Sequence, residues 1–314
     1  MTLQQELLDL SVVIPVYNEE EGLHELFSRL NKALNTLGLK YEVIFVDDGS
    51  RDKSLEILND FNQKDSRYKY ISFSRNFGHQ IAISAGMDFA EGRAVIILDA
   101  DLQDPPEIIP DLLAKWRDGA EIVYAKREAR EKGFFLKSLT AKLFYRLIYK
   151  LSPVKIPQDT GDFRLLDRKA VLALRDIRET SRFMRGLSVW IGFRQDFVLF
   201  KRDERFRGKT HYPFSKMLKL AIDGITSFSI IPLRIASYLG LVCAFFGFLG
   251  VLWAIIVRFL PSYTFTGWAT IVVTILFLGG VQLLVLGVIG EYIGRIYMEA
   301  QKRPLYIIKE KKGL

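Results

Sequence analysis

Two aspartates one residue apart, Asp99 and Asp101, directly follow the apolar run Ala94–Leu98. An apolar run of this length is typical of a strand that is buried on both faces, and the Pro-Pro pair a few residues later cannot continue it. With Gln103 beyond them, the aspartates offer hard oxygen ligands at the end of a strand. Mg²⁺ and Mn²⁺ prefer such ligands and complete their coordination with water and substrate phosphates. These residues therefore indicate a divalent metal site, and an acidic turn without metal is the alternative that the pair alone leaves open.

The other predicted strands end in polar groups of a similar kind. Apolar runs at Leu10–Pro15, Tyr41–Val46, Tyr68–Phe73 and Ile122–Ala125 are predicted strands that alternate with amphipathic helices. This alternation predicts an α/β fold with a mostly parallel sheet, in which ligands bind beyond the carboxyl ends of the strands. No GxGxxG follows the first strand, so a nucleotide-dependent transferase is favoured over an oxidoreductase. The polar groups at these ends are Tyr17, Asn18, Glu19, Asp47, Asp48, Arg75, Asn76 and Arg127.

Two apolar segments near the C-terminus, Leu233–Val257 and Trp268–Ile289, are long enough to span a bilayer as helices. A short loop joins them, so we expect a helical hairpin with both ends on one side of the membrane; two buried core helices are the alternative. The loop Arg258–Gly267 carries one basic residue, whereas lysines and arginines gather in both flanks. By the positive-inside rule, the chain is expected in the inner (plasma) membrane with its catalytic domain and both termini in the cytoplasm.

The net charge of +8 suits an anionic membrane surface or anionic substrates. Nucleic acid is not expected as a partner, because the basic residues gather beside the apolar segments. Met1–Asp9 is acidic and polar, which predicts that no signal peptide precedes the hairpin. A lone cysteine, Cys243, excludes an intramolecular disulfide.

Two further segments are predicted to lie at the membrane surface. Phe134–Leu151 has leucines on one helical face and a basic residue every four positions on another, and Pro213–Ile231 leads into the hairpin in a similar way. A helix packed on the sheet with a solvated basic face is the alternative for the first segment. The predicted domains are a catalytic domain (1–212), a juxtamembrane helix (213–231), a transmembrane hairpin (232–294) and a basic cytoplasmic tail (295–314).

Small residues recur in the hairpin at spacings that allow close helix packing. The pairs are Gly240 with Ala244, Gly247 with Gly250, and Gly290 with Gly294. They predict either packing within the hairpin or a homo-oligomer, and the spacing alone leaves both open.

Several short motifs resemble the family-2, GT-A-fold glycosyltransferases, and in particular their polyisoprenyl-phosphate branch. The resemblance runs from Leu10 through the hairpin, and an ordered set of motifs followed by two membrane helices is more specific than a lone DxD. The motifs are Pro15–Glu19, Val46–Ser50, Leu98–Pro106, Gly161–Leu165 and Asp223–Ile225.

The resemblance implies an inverting transfer of one sugar from a nucleotide diphosphate to a polyisoprenyl phosphate. Glucose from UDP-glucose, moved to undecaprenyl phosphate, is the expected reaction; GDP-mannose, UDP-N-acetylglucosamine and UDP-aminoarabinose are the alternative donors. A processive polysaccharide synthase should show a Q-x-x-R-W motif and more spans, and neither is present. A non-catalytic membrane scaffold would require a decayed metal site, yet every expected acid is in place.

The resemblance also implies roles for individual residues. The nucleotide sugar would contact Pro15, Tyr17, Asn18, Glu19, Asp47, Asp48, Arg75, Asp99, Ala100 and Arg127. Mg²⁺ or Mn²⁺ would be held by Asp99, Asp101 and Gln103. The acceptor phosphate would meet Asp162, Arg205, Lys209 and His211, the last of which stands where relatives often have a lysine. Catalysis would depend on Asp101, Arg205 and Asp159; Asp159 and Asp162 are open as base or as positioning residues, since a phosphate monoester with a second pKa of about 6 needs no strong base.

Overall fold

The computed structural model describes residues 8–128, 157, 160–201, 229–258 and 267–314. They fall into two compact units, one with residues 8–128, 157, 160–201 and 303–314, and the other with 229–258 and 267–302. Phe134–Leu151, most of Pro213–Ile231, and the site candidates Asp159, Arg205, Lys209 and His211 lie outside the described residues. The proposals made for them stay predictions.

The first unit is built on a sheet to which the described chain contributes eight strands. These are β1 (Leu10–Val16), β2 (Tyr41–Asp47), β3 (Tyr68–Phe73), β4 (Ala94–Ile97), β5 (Ile122–Arg127), β6 (Thr160–Asp167), β7 (Gln195–Phe200) and β8 (Ile308–Lys312). Their order is β7-β5-β6-β4-β1-β2-β3-β8. Only β6 and β8 run against the other six, because each pairs antiparallel with its neighbours while the remaining pairs are parallel. The expected α/β fold with a mostly parallel sheet is confirmed.

Helices cover both faces of this sheet. They are α1 (Leu23–Asn35), α2 (Ser54–Lys64), α3 (His79–Phe89), α4 (Ile109–Arg117), α5 (Arg168–Asp176) and α6 (Met184–Trp190), with a 3₁₀ turn at Pro106–Ile108. Val12 and Ile14 of β1 belong to a core cluster with residues of α1, α2 and α4. Val13, which points to the opposite face, packs against Gly86 of α3. The alternating side chains of β1 thus pack against helices on both faces of the sheet.

The tail after the hairpin returns to the sheet as β8. It pairs antiparallel with β3, and the Tyr306 ring just before it stacks on Phe73 at 5.1 Å while its hydroxyl donates to Asp88 at 2.8 Å. The sequence analysis predicted only a basic tail here, because Ile308–Lys312 is a lysine-rich stretch with no buried face. Lysine-rich strands are common at sheet edges, where backbone pairing supplies most of the contact.

The second unit consists, in its described part, of two long helices, α7 (Ile231–Arg258) and α8 (Trp268–Ala300). Both are long and apolar enough to cross a membrane, with mean hydropathies of 2.2 and 2.6 over the candidate spans Ile231–Trp253 and Ile271–Ala300. The Tyr292 hydroxyl donates to the Ser229 carbonyl at 2.7 Å and so ties α8 to the residues just before α7. The predicted apolar helices are present, and packing between copies of the chain stays a prediction.

Candidate active site

The strand pairing at the centre of the sheet brings two distant aspartates together. In the antiparallel register of β4 and β6, Ile97 lies opposite Arg164. Continuing that register by two residues places Asp99 opposite Asp162 at the edge where the parallel strands end. Two neighbouring carboxylates repel each other, so cations near this edge stabilise their ionised forms.

His79, the first residue of α3, lies between these two carboxylates. Its Nε2 is 3.5 Å from Asp99 Oδ1 and 3.3 Å from Asp162 Oδ2. Burial disfavours its charged form, yet the hydrogen bond to Asp162 and the charges of both aspartates raise the pKa of His79 above its ordinary value. The sequence analysis did not select His79 as a site residue. Its position at the end of a strand was the only available signal.

Asp162 is a buried anion surrounded by donors. Arg185 Nε and Nη2 donate to its two oxygens at 3.0 and 3.2 Å, Arg164 Nη2 donates at 3.2 Å, and Gln80 Nε2 donates at 3.2 Å. Burial alone would raise the pKa of Asp162, but His79 and the two arginines outweigh burial and hold this pKa far below its usual range. Asp162 therefore stays ionised, and a carboxylate so stabilised is a weak proton acceptor.

Asp99 is in the opposite electrostatic situation. Burial raises the pKa of Asp99 to about 7; the charge of His79 opposes the rise, and nearby carboxylates add to it. Its Oδ1 is buried and accepts no hydrogen bond from the described part of the chain. The carboxylates that add to the rise are those of Asp162, Asp104 and Asp101. An oxygen of this kind, in an excess of negative charge, fits a divalent cation.

The loop that carries the proposed metal ligands Asp99, Asp101 and Gln103 contains a residue with a left-handed backbone conformation and an internal hydrogen bond. Leu102 adopts a left-handed φ of 59°, and the backbone N–H of Gln103 donates to Asp101 Oδ1 at 3.1 Å. Among the described residues, no three His, Cys, Asp or Glu side chains form a ready-made metal site. A metal bound by Asp99, Asp101 and Gln103 would therefore take further ligands from water and substrate phosphate.

Arg127 reaches this loop from the end of β5. Its Nη2 lies 3.5 Å from Oδ1 of the buried Asp104, a residue that the sequence analysis did not select. A Cβ on Gly161 would lie 3.0 Å from the same Nη2, so the glycine makes room for the guanidinium. The structure thus places Arg127, which is predicted to contact the nucleotide sugar, beside the predicted metal loop.

The predicted nucleotide-binding loops after β1 and β2 are joined to each other by hydrogen bonds. The backbone N–H of Asn18 donates to Ser50 Oγ at 3.0 Å, and Asn18 Oδ1 accepts from the backbone N–H of Arg51 at 2.8 Å. The backbone N–H of Glu19 donates to Ser54 Oγ at 3.0 Å. Tyr17 is exposed on this rim, whereas Pro15 and Ala100 are buried.

Asp47 and Asp48 are hydrogen-bonded to groups of the protein itself. Asp47 accepts from the Ser50 backbone N–H at 3.0 Å and from Ser72 Oγ at 2.7 Å. Asp48 accepts from the backbone N–H groups of Phe77 and Gly78. Both side chains are buried, and they hold the turns that follow β2 and β3 in place.

Arg75 lies on the exposed side of the turn after β3. Its guanidinium lies over the Phe77 ring, 3.9 Å from the centroid. Gly49 has a φ of +72°, and a Cβ there would lie 2.6 Å from the Arg75 carbonyl carbon, so only glycine permits these two turns to touch.

The acids of this site lie at the carboxyl ends of the strands, where open α/β sheets bind ligands, and cations lie on both sides of them. The chain belongs to glycosyl transferase family 2, which matches residues 11–175, and its residues 231–296 match the GtrB C-terminal hairpin. The family resemblance inferred from the motifs is confirmed.

Relatives match the chain over nearly its full length. It is 50% identical to the uncharacterized glycosyltransferase YkcC of Bacillus subtilis, over 97% of this chain and 94% of that one. It is 42% identical to the prophage bactoprenol glucosyl transferase homolog of Escherichia coli, over 97% and 100%, and 43% identical to the bactoprenol glucosyl transferase of Shigella phage SfV, over 97% and 99%. A solved glucosyl-3-phosphoglycerate synthase from Mycobacterium tuberculosis has a similar structure, with a TM-score of 0.46 and 20% sequence identity. The match covers 70% of this chain and 76% of that one.

Proposed function

We propose that this glycosyltransferase moves glucose from UDP-glucose onto a polyprenyl phosphate, with undecaprenyl phosphate as the bacterial acceptor, and inverts the anomeric configuration. The observation that carries the proposal is the full-length similarity to bactoprenol glucosyl transferases at 42 and 43% identity. Because the match covers the hairpin as well as the sheet, it includes both the part that would bind the donor and the part that would meet a lipid.

Asp99, Asp101 and Gln103 are proposed to hold Mg²⁺ or Mn²⁺. Asp99 Oδ1 is buried and accepts no hydrogen bond from the described residues, which supports this choice. Such an ion supplies positive charge to the diphosphate that leaves when the sugar–phosphate bond breaks. Within the chain, Arg127 beside the metal loop would add a guanidinium to the same task. Arg205, Lys209 and His211 are proposed to meet the acceptor phosphate.

The acceptor chemistry limits what a base has to do. A phosphate monoester has a second pKa of about 6 and is mostly ionised at neutral pH, so it attacks without losing a proton to the protein. Asp162, held ionised by its arginines, is unsuited to accept a proton. Asp159 is therefore the aspartate that we propose for the acceptor loop, where it would position the lipid phosphate or take the proton of the minor fraction that is still protonated.

Chain connectivity supports a proposal for membrane topology. Strand β7 precedes the hairpin and β8 follows it, yet both belong to one sheet. A chain that leaves a sheet, enters a membrane and returns to the same sheet crosses the membrane an even number of times. Together with the distribution of basic residues, this supports two spans with both termini in the cytoplasm.

The test is transfer by the full-length protein in liposomes that contain undecaprenyl phosphate. We expect radiolabelled glucose from UDP-glucose to enter the lipid fraction, and UDP-N-acetylglucosamine, GDP-mannose and UDP-aminoarabinose to give much less product. Preference for another donor would correct the sugar and leave the reaction class intact. Absence of product from all four donors would refute the proposed function.

A further inference from the structure

Two arginines at opposite ends of β3 lie over aromatic rings. Before the strand, the guanidinium carbon of Arg67 is 4.4 Å from the centre of the Tyr41 ring, and Arg67 also forms an ion pair with Asp65 at 2.6 Å. After the strand, the guanidinium carbon of Arg75 is 3.9 Å from the centre of the Phe77 ring. The charge of a guanidinium is attracted to the face of a ring. The two arginines therefore share this contact and differ in what else they bind.

Arg75 has few partners within the protein. In the part of the chain that the structure describes, its guanidinium makes one hydrogen bond, from Nη1 to the Asn76 carbonyl at 3.0 Å, and no ion pair. The acids of the neighbouring turn, Asp47 and Asp48, accept hydrogen bonds from other groups. Because Arg75 is exposed and a guanidinium has five N–H donors, most of its donors are open to a ligand.

The ring beneath Arg75 is fixed by its own contacts. The backbone N–H of Phe77 donates to Asp48 Oδ1 at 2.6 Å. The Phe77 ring meets the Phe73 ring edge to face, with centres 5.6 Å apart and planes at 84°. Phe73 is the last residue of β3 and is buried. Edge-to-face contacts between rings are favourable and directional, so Phe73 helps to set the orientation of the Phe77 ring.

The tail of the chain, residues 303–314, contacts this group of rings from the other direction. Tyr306 stacks on Phe73 at 5.1 Å with an angle of 17° between the planes, and its hydroxyl donates to Asp88. The backbone N–H of Ser74 donates to the Ile307 carbonyl at 3.0 Å, which ties the tail to the turn that carries Arg75. Contacts thus run without a gap from Tyr306 through two phenylalanine rings to the Arg75 guanidinium.

We propose that Tyr306 is a positioning residue for the donor: through the rings of Phe73 and Phe77, it sets the direction in which Arg75 meets the nucleotide sugar. A side chain that is held in its binding conformation before the ligand arrives loses less freedom on binding, and the ligand binds more tightly. The inference rests on the proposed function, in which the nucleotide sugar contacts Arg75.

The test is calorimetric binding of UDP and of GDP, the nucleotides of all the candidate donors, to the full-length protein in detergent. Tyr306→Leu and Phe77→Leu should each weaken binding about two- to fivefold, the contribution of an exposed cation–π contact. Phe77→Leu leaves the tail intact and so separates the ring contacts from tail docking. Tyr306→Phe keeps the ring and should bind as wild type does. The matched control is Glu310→Ala, because Glu310 is a tail residue that accepts from the Tyr70 hydroxyl at 3.1 Å.

A double mutant shows whether Tyr306 acts through Arg75. Arg75→Ala should weaken nucleotide binding about tenfold through loss of charged hydrogen bonds. Adding Tyr306→Leu to Arg75→Ala should weaken it no further, because residues that act through one contact are not additive. A further loss as large as in the single mutant, wild-type affinity in both leucine variants, or an equal loss in Glu310→Ala would overturn the inference.

Kinetics in liposomes separate positioning from a general loss of structure. In Tyr306→Leu, the KM for UDP-glucose should rise, whereas kcat and the KM for undecaprenyl phosphate should stay at their wild-type values. A fall in kcat with an unchanged KM for UDP-glucose would overturn the inference. Nucleotide binding does not require glucose transfer, so absent transfer by a wild-type protein that binds UDP refutes only the proposed function. Unchanged affinities in the leucine variants refute only the role of Tyr306.

Discussion

Chemically identical carboxylates at the sheet edge have different properties because their neighbours differ. Asp162 is ionised over a wide pH range, since arginines and His79 surround it. Asp99, opposite it, has its pKa raised to about 7 by burial, with three other acids nearby. The first is paired with cations of the protein itself, and the second is the carboxylate that we propose as a metal ligand.

Asp101→Ala should abolish transfer while the fold is retained. Loss of one metal ligand facing a charged leaving group costs several kcal/mol of barrier, about a thousandfold in rate. Glu107→Gln is the matched control, because Glu107 follows the same loop but pairs with Arg29 at the surface. Transfer rates and far-UV circular dichroism check the prediction. Near-normal turnover of Asp101→Ala in EDTA would contradict it.

Asp162→Asn should destabilise the first unit in a pH-dependent way. The folded pKa of Asp162 lies below its unfolded value of about 4. Its contribution to stability is therefore complete above that value and is lost as the pH falls below it. Removing one partner of a buried ion pair costs about 3–5 kcal/mol.

Thermal unfolding of wild type and Asp162→Asn at pH 7 and at pH 3 measures this effect. We expect a large difference in Tm at pH 7 and a smaller one at pH 3, where the wild-type carboxylate has lost part of its advantage. Equal differences at both pH values would show that the charge of Asp162 contributes nothing.

At the scale of elements, strand β8 protects one edge of the sheet. Strand β8 covers the edge of β3, and Tyr306 ties the preceding residues to α3 through Asp88. An uncovered β3 would present unpaired backbone groups, which promote association between sheets.

Deletion of residues 304–314 should therefore lower the Tm and cause aggregation of the purified protein. Deletion of Leu314 alone is the control, because it leaves the pairing of Ile308–Lys312 intact. Size-exclusion chromatography and thermal unfolding measure the outcome. A truncated protein that stays monodisperse with an unchanged Tm would show that β8 is dispensable.

Changing Lys142, Arg146 and Lys150 to glutamate should weaken use of the lipid acceptor. Basic residues near an anionic membrane surface contribute about 1 kcal/mol each, so the apparent KM for undecaprenyl phosphate should rise. The KM for UDP-glucose should change little, because we propose that the donor binds at the strand ends. Both KM values in anionic liposomes check this, and a loss confined to UDP-glucose would mean that the segment has another role.

At the scale of the whole molecule, the membrane topology is the main testable property. If the hairpin crosses twice, the N-terminus and the tail lie on the cytoplasmic side and the loop 259–266 lies on the other. Single cysteines placed at residue 2, residue 262 and residue 314 of a Cys243→Ala protein should differ in labelling by an impermeant maleimide added to intact cells. Only residue 262 should react. Labelling of residue 314 but not of residue 2 would refute the even number of crossings, and labelling of both would refute their cytoplasmic location.

Local sequence patterns were sufficient to predict five of the strands and the two apolar helices. The bounds of β3, Tyr68–Phe73, were predicted as observed. The bounds of β1, β2, β4 and β5 were predicted to within two residues. These predictions succeeded because apolar runs, and the prolines or acids that end a strand, act over short distances. The two apolar helices followed from length and composition alone.

Tertiary structure decided how these pieces meet. No short-range pattern specifies that β6 enters antiparallel between β4 and β5, or that the lysine-rich tail becomes β8. The cluster of His79, Asp162 and Arg185 depends on that choice, since its members are separated by 83 and 23 residues in the chain. Strand order is selected by the packing of the whole sheet, and a side chain's partner across the sheet exists only after that selection.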